Sequence, residues 1–436
     1  MSVGFVDGQV ALGPSSDVID YAVVMRRLDE SDEASYLLRT GGLQILHLAA
    51  LADCLARFYR SAERCDESGN PEVVGRLIER NFAEIEHLKL EGITSSQVAN
   101  LKAFAQTLVI RLRDRLGRRQ AVGAIRDGHG DLRLEHVFFP GSNAAPLVID
   151  TVEYEPAFRR GDVALDAAFF AMELRSSGRR DLEAAFWSHF ARSMSDYTFF
   201  PLIDLYVLYR AAVRAKVAAL MAQSPDTPGD VARAKQAECE SLWRLAESAV
   251  AAGEEGGAVV CVGGLVGAGK SVVAEKLVPR LRGPVISSDY MRKGLAGLSP
   301  TDRACDAYYD EAFNRRTLTA LLAASRDVLT SGRVVIVDAT FRRSSWRQAF
   351  VALADEHKVP FVFIEARCRE EVLRERLRER QRTLSVSDAR ESTLSQVAAE
   401  FEPLTDLAGR QRFEVDTEQP VGPALDRIAA KIHVPG

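Results

Sequence analysis

The 436-residue sequence is short of everything that would tie it to a membrane, a secretory route or a thiolate metal cluster. Its six cysteines (Cys54, Cys65, Cys239, Cys261, Cys305 and Cys368) are scattered, with no C-x-x-C pair. That argues against a disulfide framework or a zinc ribbon and suits a reducing, cytoplasmic setting. No run of about twenty apolar residues occurs, so no membrane-spanning helix is expected. The first residues lack the basic-then-apolar pattern of a secretory leader. Positive charge is not in excess. Lys and Arg number 56 against 61 Asp and Glu, a net charge of −5, so bulk electrostatics gives no reason to expect non-specific nucleic-acid binding. Internal repeats and low-complexity tracts are missing from the sequence, and lysine does not occur before Lys89. Length alone points to two or three domains.

What is present is organised around Gly264-Leu265-Val266-Gly267-Ala268-Gly269-Lys270-Ser271, the G-x-x-x-x-G-K-S spacing of a phosphate-binding loop. It follows an apolar run, Ala258 to Val262, and precedes a helical pattern from Ser271 to Arg282, which is the setting the motif needs. Gly264, Gly267 and Gly269 let the backbone fold tightly. The N–H groups of the loop, through Ala268 and on to Val272, can then point at one anion, and the new helix adds the positive end of its dipole. Lys270 is expected on the β- and γ-phosphates of ATP and the Ser271 hydroxyl on Mg²⁺.

Around this loop, apolar strand runs (258–262, 284–287, 333–338, 360–366, 412–416) alternate with helical patterns (271–282, 302–330, 344–357, 369–382, 423–433). The alternation predicts an α/β domain with a parallel five-stranded sheet covered by helices on both faces, and ligands beyond the carboxyl ends of its strands. Three further features fall there. Val334 to Asp338 is an apolar strand ending in a carboxylate, with Asp338 expected near Mg²⁺. Ser288-Asp289-Tyr290-Met291-Arg292 follows the second strand. Asp289 could take the proton from an attacking hydroxyl and Arg292 could grip an anion by two hydrogen bonds, although Ser and Asp at this place also suit a helix cap. Finally, Arg374, Arg376, Arg378, Arg380 and Arg382 interleave with Glu371, Glu375 and Glu379 on one helical pattern. They form either a solvated face of ion pairs or an arginine lid over the phosphates, with Arg376 and Arg380 at the spacing of a lid.

The Gly-rich stretch 251–257 reads as a linker between a domain at 1–250 and one at 258–436. The first part opens with a hairpin, Val3 to Leu12, turning at Asp7-Gly8. A strand from Tyr21 to Leu28 follows, then helical segments at 43–62, 71–90, 95–116, 182–194, 201–222 and 231–250. Between them Arg126 to Leu132 is polar and turn-like, and short apolar strands at 137–139 and 146–149 lead to Asp150. One carboxylate in the loop, Asp131, and a second after the hairpin, Asp150, suit metal-assisted phosphoryl transfer, one accepting a proton and the other holding Mg²⁺. The plainer alternative is that His129 and Asp131 cap a turn.

His129-Gly130-Asp131-Leu132 together with Ile149-Asp150 resembles the aminoglycoside phosphotransferase family, which has a protein-kinase-like fold. The resemblance implies Asp131 as catalytic base beside His129, and Asp150 as a Mg²⁺ ligand. Where that family has an Asn five residues after the Asp, this chain has His136, an imidazole at the second metal contact. The resemblance also makes Tyr21 to Leu28 the hinge strand between two lobes. Only a hairpin then stands where the family has a glycine loop and an ATP-pairing lysine, so either a mostly helical, truncated phosphotransferase-like domain or a natural start upstream of Met1 is expected. Residues 256–436 resemble the P-loop kinase group that includes polynucleotide 5′-hydroxyl kinases, zeta-type toxins, gluconate kinases and chloramphenicol phosphotransferase. The matching residues are 264–271, Ser288-Asp289-x-x-Arg292, Val337-Asp338-Ala339-Thr340 and the arginine run. The order of the two halves is similar to bacterial proteins that fuse an aminoglycoside phosphotransferase-like half to an ATP-binding half. These resemblances imply an ATP- and Mg²⁺-dependent kinase whose C-terminal domain phosphorylates a small-molecule hydroxyl acceptor. Three alternatives stand beside it: transfer by the N-terminal half with the P-loop half regulating it, an ATP-dependent switch without an acceptor, and a kinase of nucleic-acid 5′ ends. The sequence leaves the oligomeric state open.

Overall fold

The computed structural model describes residues 1–436 apart from 7–8, 15–16, 89, 142–143, 252–255, 381–385, 387, 389–390 and 433–436. The expected Asp7-Gly8 turn, most of the linker and Arg382 lie outside the described residues.

The chain opens with a small antiparallel sheet in which β1 (Ser2–Val6) pairs with both β2 (Gln9–Leu12) and β3 (Val18–Tyr21). The strand expected at Tyr21 to Leu28 is not formed. The ladder ends at the Ser2–Tyr21 pair, and Val23, Val24 and Met25 beyond it stay 66–84% exposed, with no paired strand among the described residues.

Helices then dominate: α1 (Ala34–Thr40), α2 (Ile45–Ser61), α3 (Pro71–His87), α4 (Ser95–Arg111) and α5 (Arg113–Ala121). Local chemistry sets their starts. Asn70 caps α3 by accepting from the Glu72 amide, with Pro71 at the first helical position. Thr94 and Gln97 cap each other's backbone at α4. The single helix expected at 95–116 breaks at Leu112, whose ψ of 9° leaves the helical region. Next come β4 (Ile125–Asp127), β5 (Val137–Phe138), β6 (Leu147–Val148) and β7 (Arg160–Asp162), with β4 antiparallel to β7 and β5 to β6. The core of this half is built by α6 (Val163–Ser176), α7 (Arg180–Met194), α8 (Ile203–Gln223) and α9 (Gly229–Ala251). Helix α8 is buried on nearly every face against α6 and α9, which is why its apolar and small residues run almost without interruption.

The second half alternates β8 (Val259–Gly263), α10 (Lys270–Leu281), β9 (Val285–Ser287), α11 (Ser288–Leu295), α12 (Glu311–Thr330), β10 (Val335–Asp338), α13 (Ser344–His357), β11 (Phe361–Arg367), α14 (Glu370–Arg380), α15 (Glu391–Ala399), β12 (Gln411–Asp416) and α16 (Gly422–Ala429). The strands form one parallel sheet in the order β12-β11-β8-β10-β9. Helix α10 packs with α16, and α12 with α13, so two helical layers cover the apolar strands as the α/β pattern predicts. Two local expectations change. The helix expected from 302 starts at Glu311, where the Asp310 carboxylate accepts from the Phe313 amide. Residues 288–295, where the sequence suggested only that Ser and Asp suit a helix cap after the second strand, form α11.

The halves meet along the open edge of the sheet. Strand β9 is terminal, so its outward backbone groups need partners. The Val285 amide donates to Ser188 Oγ (3.0 Å) and the Tyr197 hydroxyl donates to the Val285 carbonyl (3.1 Å). Arg333 donates to Asp204 (2.7 Å), and Arg115 pairs with Asp327. Among the described residues no helix is long and apolar enough to cross a membrane.

Candidate nucleotide site

The phosphate loop joins the carboxyl end of β8 to the start of α10. Gly264 has φ +134°, and a Cβ there would lie 2.4 Å from the Ala366 carbonyl oxygen on the neighbouring strand, so no side chain fits. Gly269 has φ +85° and turns the chain directly into the helix at Lys270. Lys270 folds back over the loop and donates to the Leu265 carbonyl (2.9 Å). Burial pulls its pKa down, and Arg380 pulls the same way, while Asp338 and Asp289 oppose both. An ammonium so poorly hydrated gains most from a phosphate placed in the loop.

Strand β10 lies beside β8 with Asp338 opposite Val262, at the same height as the loop. The Ser271 hydroxyl donates to Asp338 Oδ2 (2.7 Å). Burial pushes the Asp338 carboxyl up to about 6, against the pull of Lys270 and the Ser271 hydroxyl. A hydroxyl and a carboxylate already in contact beside a phosphate loop are oxygen donors of the kind Mg²⁺ takes. Asp289 sits in the first turn of α11 at the end of β9, close enough for its charge to act on Lys270 and Asp338. Its carboxylate has no hydrogen bond or ion pair among the described residues.

Arg292, one turn on, is buried and mostly engaged within its own domain. It donates to the Tyr308 carbonyl and to Asn314 Oδ1 (2.9 Å), and its guanidinium lies 4.5 Å from the centre of the Tyr309 ring. Only its buried Nε lacks a partner. In this conformation each terminal nitrogen already donates to a protein oxygen, so Arg292 is turned toward the Tyr308–Asn314 wall.

A cavity of about 600 Å³ opens beside the loop, lined by Gly267, Val272, Arg376, Arg380, Thr417 and Val421 among others. Arg376 is not a free finger. It donates to Thr417 Oγ1 (2.9 Å) and to the Thr417 carbonyl (2.8 Å), and so forms a fixed wall. Arg374 and Arg378 pair with Glu370 and Glu391 and behave as a solvated face. Arg380 lies where its charge reaches Lys270. Thr417, which the sequence reading missed, ties three parts together. Its amide donates to the Arg367 carbonyl (2.9 Å), and its hydroxyl donates to the Ala268 carbonyl (2.9 Å) while meeting Arg376. Its position just after the last strand of a parallel sheet was the available signal.

The N-terminal constellation is also brought together, but its histidines act as braces. Asp166 of α6 accepts from the amides of His129 (2.7 Å) and Gly130 (2.8 Å) and holds the loop. The His129 ring is buried, with Nε2 2.7 Å from the Ile149 carbonyl and Nδ1 accepting from the Asp131 amide (3.3 Å). Both its nitrogens thus meet backbone groups. His136 Nδ1 meets the Asp131 carbonyl (2.7 Å), and its Nε2 lies 3.3 Å from Asp150 Oδ2. Asp150 is held at φ +65° with an exposed carboxylate. Among the described residues, no group of three or more His, Cys, Asp or Glu side chains is arranged to hold a metal ion.

Comparison with known proteins gives three findings. A family model described as an AAA domain matches residues 259–404. Solved structures similar to this chain include Kti12 of Chaetomium thermophilum in complex with ADP-AlF3 (19% identity, 40% of this chain and 99% of that chain, TM-score 0.33). A putative kinase from Chloroflexus aurantiacus is also among them (24% identity, 41% and 98%, TM-score 0.33). Two curated relatives, the uncharacterized proteins Rv2004c of Mycobacterium tuberculosis and Mb2027c of Mycobacterium bovis, are each 30% identical over 370 residues, spanning 81% of this chain and 70% of the relative. The chain belongs to the same family as these mycobacterial proteins.

Proposed function

We propose that the protein is an ATP- and Mg²⁺-dependent phosphotransferase whose C-terminal domain transfers the γ-phosphoryl group of ATP to a hydroxyl on a small molecule. The observation that carries this reading is the convergence of Lys270, the Ser271–Asp338 pair and the unpartnered Asp289 carboxylate around one phosphate loop. In this reading the loop amides from Gly264 to Val272 and Lys270 bind the phosphates. Ser271 and Asp338 hold Mg²⁺, which would offset charge on the transferring group. Asp289 accepts the proton of the attacking hydroxyl. Arg380 and Arg376 border the nucleotide, and Arg292 keeps the wall behind Asp289 in shape. The surplus negative charge of the chain favours a small acceptor over a nucleic-acid 5′ end.

A second reading places transfer in the N-terminal half, with Asp131 as base and Asp150 and His136 toward a metal. It is favoured by the left-handed backbone at Asp150, since strain of that kind collects at functional positions.

Purified protein with γ-labelled ATP, Mg²⁺ and a pool of aminoglycosides, sugars, nucleosides and 5′-hydroxyl oligonucleotides separates the two. Label on an acceptor that is lost with Lys270→Ala and kept with Asp131→Ala supports the first reading. The reverse pattern supports the second. ATP loss without any labelled acceptor supports a nucleotide switch.

A further inference from the structure

The stretch Ser188 to Tyr197 of the N-terminal half touches three elements of the P-loop domain at once. Ser188 and Tyr197 hold both backbone groups of Val285 in β9. Arg192 ion-pairs with Glu275 of α10, one turn after Ser271. The same guanidinium lies 4.9 Å from the centre of the Tyr290 ring, the neighbour of Asp289 in α11. A Cβ on Gly294, at the far end of α11, would come within 3.6 Å of Ser195. Arg192 itself is fixed from behind, since it also donates to His189 Nδ1.

Helix α11 needs such a hold. It has only eight residues, too short to be stable alone. The Asp289 side chain has no hydrogen bond to keep it in place, so its position follows the backbone of α11. That backbone is held on one flank by Arg292 and on the other by Tyr290 under Arg192. The Glu275 contact ties the same guanidinium to the helix that carries Lys270 and Ser271.

We infer that Arg192, supplied by the N-terminal half, is a positioning residue for the P-loop site: it locks α11 against α10 so that Asp289 faces the γ-phosphate. This rests on the kinase reading above. It assigns the N-terminal half a part in the chemistry without giving it a substrate, and it makes the halves one functional unit.

The test uses the full chain with Mg²⁺-ATP and the acceptor pool, measuring turnover and, separately, binding of a fluorescent ATP analogue. Lys270→Ala runs as the control. Arg192→Met is expected to lower kcat at least about tenfold while nucleotide affinity stays within about twofold. Arg192→Lys, which keeps a cation between Glu275 and Tyr290, is expected to recover part of the loss. Tyr290→Leu should reproduce the fall in kcat and Tyr290→Phe should not, which keeps the test open even where Arg192→Met folds poorly. Wild-type kcat in both Arg192→Met and Tyr290→Leu, with Lys270→Ala inactive, overturns the inference and leaves the kinase reading standing. A fall in nucleotide affinity as large as the fall in turnover also overturns it, because that is what general damage to the domain would give. Unchanged turnover in Lys270→Ala sinks the kinase reading itself.

Discussion

His189 offers a pH-dependent measurement whose sign and size follow from the structure. Its ring lies at the contact between the halves, on α7. It faces Arg192 from the same helix, Asp53 from α2 and Glu275 from α10. Burial lowers its pKa to about 4, and Arg192 adds to the effect, while Glu275 and Asp53 oppose it. In the neutral ring Nδ1 accepts from Arg192, whereas a proton there would remove that bond and set two cations together. The unfolded chain has an ordinary imidazole with a pKa near 6.5. The folded value is the lower one, so between about 4 and 6.5 the unfolded state binds the extra proton and native stability rises with pH. The contribution is complete above pH 6.5 and is lost progressively as pH falls toward 4. At pH 5 the loss from this one group is about 2 kcal/mol, and across the whole window about 3 kcal/mol. The assay is urea unfolding of the wild type and His189→Gln at pH 7.5 and pH 5. Gln can still accept from Arg192 through its amide oxygen but cannot titrate. The wild type should lose about 2 kcal/mol more than the variant on acidification. Equal losses in the two proteins would refute the assignment of a buried neutral imidazole at the interface.

Other perturbations test other links. Arg119 is buried between Asp162 and Asp196, and Asp162 also accepts from Tyr206 and caps α6. Arg119→Met strands two carboxylates and should cost about 3–5 kcal/mol in urea unfolding. A loss below about 1 kcal/mol would show that the network is not held as described. Thr417→Val removes the hydroxyl that joins the Ala268 carbonyl to Arg376, two hydrogen bonds of about 1 kcal/mol each, and should weaken ATP binding by up to about thirtyfold by calorimetry. Unchanged affinity would mean that Thr417 does not shape the loop. Gly264→Ala forces a methyl group against the Ala366 carbonyl at a positive φ and should abolish ATP binding, so wild-type binding there would contradict the loop conformation.

The second half was far more legible than the first, and the reason is periodicity. Strands such as Val335–Asp338 and Phe361–Arg367 are apolar almost throughout because both faces of a parallel sheet are covered, so their position could be read to within a residue or two. The phosphate loop was legible because its glycines answer to backbone geometry, which a local motif encodes. Helix α11 was legible only as a possible cap, and its length was not, for the opposite reason. Ser288 to Leu295 is only eight residues, two turns with a single Met291–Leu295 apolar pair, and it is held by contacts made by other segments. The strand expected at Tyr21 to Leu28 failed in the same way. Val23, Val24 and Met25 have strand-like side chains, yet a strand exists only where a partner ladder does, and that information is not local.

The site residues divide along the same line, and the division explains what the sequence could not supply. Lys270, Ser271, Asp289 and Asp338 each stand at the end of a strand or the start of a helix, so a pattern of elements was enough to nominate them. Arg192 and Thr417 act across large separations: Arg192 meets a helix 83 residues on, and Thr417 meets the phosphate loop 149 residues back. Neither carries a motif. Arg376 shows how a local pattern can also mislead. In sequence it shares its spacing and charge with Arg374, Arg378 and Arg380, but in space Thr417 makes it a fixed wall while Glu391 and Glu370 take the solvated neighbours. What distinguishes one arginine of the run from the next is therefore the residue it meets across the fold. A nucleotide site in this family should accordingly be sought in the pairing of Arg376 with Thr417 and of Arg192 with Glu275, as well as in the glycine loop. A relative that keeps the loop but cannot form those pairs would be expected to bind nucleotide and transfer phosphate poorly. Measuring nucleotide affinity and turnover separately in Thr417→Val and Arg192→Met would show that difference directly. Affinity should fall in the first and turnover in the second, and a loss of both quantities in both variants would mean that the two pairs only hold the domain together.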